Sequence, residues 1–337
     1  MRIATHVRAA IAAFFSIAAG SALAQGNLTE VRYGTNWLAE AEHGGYYQAV
    51  ADGTFEKYGL KVTIVQGGPQ ANNRMLLPVG RLDFYMGANM IQSFSAVEEK
   101  IPTVVVAAHF QKDPQIFLSH PGQGLDTFLD LKKSNDILVS KEGLATYYQW
   151  MKAEFGFKEE QTKPYNFNPA PFIANKKAVQ QGYVTSEPLS VEKAGGFKPN
   201  VFLLADNGFT TYGTTIETRT ELVEKNPELV QRFVDASTIG WYNYLYGDNK
   251  KANELIKKDN PEMTDEQIAF TIAKLKEYGI VDSGEAAKQG IGAMSDARVK
   301  DFFDKMVKAG LFKPDLDYKK SYTLKFVNKG VGVELRK

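Results

Sequence analysis

The sequence predicts an α/β protein of two lobes. Short apolar runs alternate with longer amphipathic stretches, the pattern of strands covered by helices. The alternation occurs twice, the second time from near residue 120, and from Asn226 the texture turns helical. The 337 residues allow about two domains at ~150 residues each.

In the first unit, Val31 to Thr35 reads as a strand and His43 to Asp52 as a helix stopped by Gly53. Leu60, Val62 and Ile64 alternate with Lys61 and Thr63, which predicts a strand to Val65. Gly67-Gly68-Pro69 is a turn, with Pro69 suited to the first turn of a following helix. Leu82 to Met86 is a strand, Asn89 to Lys100 a helix, and Pro102 to Ala108 a buried, β-branched strand. This run predicts a parallel sheet. In the second unit, Asp126 to Lys132 is a helical turn, Ile137 to Ser140 a strand and Gly143 to Phe155 a helix. Tyr183 to Ser186 and Val201 to Leu204 are strands. Asn226-Pro227-Glu228 caps a long helix, Thr264 with Gln267 fits a capping box, and Asp296 to Ala309 closes at Gly310. A passage to the second lobe near Gln115 and a return near Thr211 would make 25–115 and 211–337 a discontinuous first lobe and 116–210 the second.

Residues 1–24 stand apart. Arg2 and Arg8 precede the apolar run Ala9 to Ala19, and Ala22-Leu23-Ala24 is a small-x-small cleavage pattern. That order is a secretory signal peptide, so the mature chain is expected to be exported. Cleavage removes two arginines and no acid, taking the net charge from +1 to −1. Near-zero charge argues against a nucleic-acid partner. At 44% hydrophobic and 23% charged, the chain is not disordered. Zero cysteine excludes disulfides, thiolate metal sites and a cysteine nucleophile.

No dinucleotide, P-loop, hydrolase-elbow or zinc-protease motif is present. His43, His109 and His120 are too far apart in sequence to suggest a metal site, and no carboxylate pair is singled out by an apolar setting. We therefore expect no enzyme, catalytic residue, metal or cofactor. Polar and aromatic residues instead gather where strands end, the place where open α/β sheets bind ligands. After the first strand come Asn36, Trp37, Glu42, His43 and Tyr46. Trp37 and Tyr46 suit either core packing or stacking on a planar ligand, and Glu42 either a solvated helix start or a ligand contact. Gly68 and Gly87 permit close backbone approach. Asn89 and Ser140 fit helix caps or ligand contacts. Tyr147 belongs to an aromatic cluster with Tyr148 and Trp150, and Ser186 and Glu187 end a strand of the second unit.

The stretch Asn36-Trp37…His43-Gly44-Gly45-Tyr46-Tyr47-Gln48-Ala49…Gly53-Thr54-Phe55-Glu56-Lys57-Tyr58-Gly59-Leu60 resembles the opening of periplasmic solute-binding proteins of the nitrate/sulfonate/taurine and thiamine-pyrimidine-precursor type. The likeness continues through Gly67-Gly68-Pro69, Arg81 to Phe84, Gly87, Gly182 to Pro188 and Asn226 to Trp241. It implies a type II periplasmic binding protein, two α/β lobes joined by two hinge strands, serving an ABC importer. The implied partners are a small-molecule ligand and the membrane permease and ATPase subunits, and the chain is expected to be a monomer. Asn36, Trp37 and His43 match the block of the pyrimidine-binding branch, which implies a planar nitrogen heterocycle. Alkanesulfonates, taurine and aromatic acids are the alternatives. Glu40 and Glu42 depart from the pattern; acids there would repel a sulfonate and suit a ligand with donors or positive charge. A eukaryotic branch makes the thiamine pyrimidine with a cysteine-rich motif, which this chain lacks.

Overall fold

The computed structural model describes residues 28–68 and 71–336. The expected signal peptide and Pro69 lie outside the described residues. Ten strands form two five-stranded sheets. The first sheet takes β1 (Thr29–Gly34), β2 (Leu60–Val65), β3 (Phe84–Asn89) and β4 (Thr103–Phe110). The chain then crosses through residues 111–114 to the second sheet. That sheet holds β5 (Gln115–Ser119), β6 (Ile137–Val139), β7 (Thr162–Pro164), β8 (Val179–Tyr183) and β9 (Asn200–Leu203). A return through residues 204–212 leads to β10 (Gly213–Arg219), back in the first sheet.

The sheet orders are β2-β1-β3-β10-β4 and β7-β6-β8-β5-β9. Neither sheet is purely parallel, a correction to the sequence expectation. β10 runs antiparallel between β3 and β4, and β5 runs antiparallel to β8 and β9. β10 hides in a polar run, Thr214-Thr215-Ile216-Glu217-Thr218, all of it buried. Its Glu217 is satisfied by Arg74 at 3.2 Å. Two further expectations shift. The strand placed at Tyr183–Ser186 ends at Tyr183, and Glu187–Gly195 is a helix that Pro188 tolerates in its first turn. The helix placed at Gly143–Phe155 starts at Lys141 and breaks at Thr146 (φ −126°, ψ −107°). Among the described residues after Gly68, the first helical turn is the 3₁₀ turn Asn73–Leu76. The caps expected at Asn89, Ser140 and Asn226 form; each side chain accepts from a first-turn amide. Thr264 also caps its helix, but the Gln267 side chain leaves the box and donates to the Ser186 carbonyl at 3.3 Å.

The helix Gly44–Ala51 packs across the long helix Pro227–Tyr246, and glycines set how closely. A Cβ on Gly45 would stand 2.3 Å from Trp241 Cγ, and one on Gly240 2.2 Å from the Gly45 carbonyl oxygen. The Gly44-Gly45 pair is thus a helix-crossing device that fixes the preceding turn, Ala41–His43. Arg298, from the helix Asp296–Lys308, ties the two crossings together. It donates to the carbonyls of Gln111, Thr210 and Thr211. No described helix is long and apolar enough to cross a membrane.

Candidate ligand-binding site

The parallel strands β1, β3, β6 and β8 end at one cleft, and the antiparallel β5 and β10 begin there. This common edge enters a cavity with about 670 Å³ of atom-free space, part of it open to solvent. From the first half come Asn36, Trp37, Glu40, Glu42, His43, Met86, Ala88, Asn89 and Thr214. Ser140, Glu142, Gly143, Thr146 and Tyr147 follow β6; Gln181, Gly182, Tyr183, Ser186 and Glu187 come from the end of β8 and just beyond. Asp113 and Gln115 stand at the first crossing.

The sequence-predicted residues Asn36, Trp37, Glu42, His43, Asn89, Ser140, Tyr147, Ser186 and Glu187 all line this cavity. Three others do not. Tyr46 is fully buried in the core; its hydroxyl pairs with His109 Nδ1 at 2.7 Å and its ring packs on Tyr33 at 4.4 Å. Gly87 serves sheet packing, since a Cβ there would meet Thr215 Oγ1 at 2.5 Å. Gly68 lies against Leu38, outside the lining. Asn89 caps its helix and lines the cavity at once. So does Ser140, whose amide is held by Gln181 and whose hydroxyl accepts from Gly143.

Among the described residues five carboxyl groups line the cavity, and no lysine or arginine does. This corrects the expectation that no carboxylate pair is singled out by an apolar setting. Burial pushes Glu42, Asp113, Glu142 and Glu187 each up to about 7. Burial, then the Glu42 and Glu187 charges, raise Glu40 well above the carboxylate range. His43 is pushed down to about 3 by burial, so its ring is neutral near pH 7. Its Nε2 lies 3.6 Å from Glu40 Oε1, too long for a hydrogen bond. Sequence reasoning passed over Glu142 and Asp113. Their only local signals are a first-turn acid behind the Ser140 cap and a place beside the crossing.

Several bonds span the cleft. Asn36 Nδ2 and Gln92 Nε2 each donate to Glu142 at 3.0 Å, and Thr185 donates to Glu42. The Trp37 ring lies near-parallel to Tyr165, centroids 6.5 Å apart, and the Tyr165 hydroxyl donates to Glu187 at 2.8 Å. Two buried cavity-lining side chains keep a polar atom without a partner, Glu42 Oε2 and His43 Nδ1.

The model of the family described as NMT1/THI5 like matches residues 40–252, more than half of the chain. The chain belongs to that family. Its fold is that of periplasmic binding proteins. The alkanesulfonate-binding protein SsuA from Xanthomonas axonopodis pv. citri, bound to MOPS, superposes with a TM-score of 0.62 at 17% identity, covering 88% of this chain and 98% of that one. The desulfurization enzyme DSZB superposes at 0.56 and 12% identity, with 88% and 97% coverage. In sequence, the riboflavin-binding protein RibY of Chloroflexus aurantiacus is 24% identical over 318 residues, 91% of this chain and 88% of that protein.

Proposed function

We propose that this chain is the ligand-capture component of an ABC importer, working in the periplasm, and that its cleft takes a planar nitrogen heterocycle. Residues 25–115 with 211–337, and 116–210, act as lobes that close on the ligand and then dock, as a monomer, on a membrane permease. The observation that carries the ligand class is the lining: five carboxyls and no cationic side chain, with Trp37 in the wall. Such a lining offers sulfonates, nitrate and aromatic carboxylates no cationic partner, and whichever of its acids are ionised repel them. It suits ring nitrogens and amino groups that donate hydrogen bonds. Pyrimidines fit that description, and so does riboflavin, the ligand in the name of the Chloroflexus relative.

A thermal-shift panel of aminopyrimidines, riboflavin, taurine and alkanesulfonates tests this reading. A ligand at 100 times its Kd stabilises the protein by ~2.7 kcal/mol. Heterocycles raising the melting temperature while sulfonates leave it unchanged is the expected result; the reverse overturns the reading. The raised carboxyls favour a second reading, a secreted enzyme with a general acid in the same cleft. Product formed from a bound pyrimidine in a single turnover would establish it.

A further inference from the structure

The charge of the cavity is unbalanced. Buried carboxyls need a countercharge or full hydrogen bonding. Glu142 has Asn36 and Gln92; Glu187 has the Tyr165 hydroxyl and the Tyr183 amide. Glu42 is different. Thr185 donates to one oxygen, while the other, sealed from solvent, has no donor. The residue is 1% exposed and lines the cavity. His43 beside it, 2% exposed, also keeps an unpartnered nitrogen. The other groups facing Glu42 are Glu40 on its own turn, Tyr183 and Glu187 across the cleft, and Tyr244 of the long helix. None supplies positive charge. Arg74 is committed to Glu217 and does not line the cavity.

We propose that the cleft binds its ligand as an organic cation, through an amidinium-type pair of N–H groups one of which donates to Glu42 Oε2. The proposal rests on the heterocycle reading above and adds the ligand's charge and its anchor. Planar N–H forks match carboxylates in geometry, and charge-assisted bonds are about twice as strong as neutral ones. An inorganic ion is the poorer occupant: among the described residues no three His, Asp or Glu side chains are grouped to hold a metal. Burial holds Glu42 partly protonated near neutral pH, so a bound cation ionises it and binding releases protons.

Benzamidine, benzamide and benzoate share one ring and differ in charge, positive, neutral and negative. Calorimetry on the full mature chain near neutral pH, in two buffers of different ionisation enthalpy, reads both affinity and proton release. Benzamidine is expected to bind at least about tenfold tighter than benzamide and to release protons, with benzoate undetected. Glu42→Gln should cut that preference below about threefold and diminish the release. Glu42→Asp, which keeps the charge, should retain the preference. Equal binding of benzamide, no proton release by the wild type, or an undiminished preference in Glu42→Gln overturns the inference. Uracil or riboflavin binding without any benzamidine preference sinks the cation alone and leaves the heterocycle reading standing. No binding by any ring compound sinks both.

Discussion

Replacing Glu42 by Gln should stabilise the ligand-free protein at pH 8 and stabilise it far less, by under about 1 kcal/mol, at pH 5. Burial raises the carboxyl from its ordinary 4.5 to about 7. Between those values the folded state binds more protons than the unfolded state, so stability falls as pH rises. Below 4.5 both states are protonated and the penalty vanishes. Above about 7 both are ionised and the penalty is complete. At about 1.4 kcal/mol per tenfold change in proton affinity, its ceiling is about 3 kcal/mol. Gln keeps an acceptor for Thr185 and cannot ionise, so it removes this term. Unfolding entropy of ~2.1 cal/mol/K per residue over about 300 residues turns 3 kcal/mol into a rise of about 5 °C. Circular-dichroism melts of both proteins at the two pH values measure it. A variant less stable than wild type at pH 8, or a gain of equal size at pH 5, refutes the reasoning.

Other consequences are as direct. Gly240→Ala should cost at least about 1–3 kcal/mol, because its methyl meets the Gly45 carbonyl oxygen at 2.2 Å and backbone yields little; a melting curve checks it. Glu142→Ala strands the Asn36 and Gln92 amides, a loss of about 1–3 kcal/mol across the cleft, and should raise the ligand-free radius of gyration in solution scattering. Trp37→Ala should weaken aminopyrimidine binding about tenfold or more, about 1.4 kcal/mol, measured by calorimetry.

Much of the first sheet is legible in the sequence because its strands carry their own pattern. Leu60, Val62 and Ile64 alternate, and Thr103 to Val106 is unbroken β-branched sequence. The caps at Asn89, Ser140 and Asn226 are legible because a capping side chain acts within three residues of itself. β10 is not, because its burial comes from neighbours distant in the chain. A Thr-rich strand with Glu217 inside reads as surface until Arg74, 143 residues away, is beside it. Tyr46 fails for a related reason. It shares a segment with Glu42 and His43, but the helix turns it onto Tyr33 and Trp241, away from the cleft. Glu142 and Asp113 look like ordinary surface acids locally; what takes Glu142 out of water is distant in the chain, with Asn36 and Gln92 donating to it.

If the two halves close as proposed, closure is tied to recognition. The bonds from Asn36, Gln92 and Thr185 that cross the cleft all end on Glu142 or Glu42, carboxyls that also face the cavity. Closing as proposed would therefore desolvate the acids it uses as fasteners. Without a countercharge this cost works against the closed form, most strongly above about pH 7, where the acids are ionised. A cation in the cavity reverses the sign of the term, because the acids that burden the empty cleft then attract its occupant. On the proposed reading, ligand charge decides whether closing is favourable, and an uncharged ring of the same shape would enter the cleft without holding it shut.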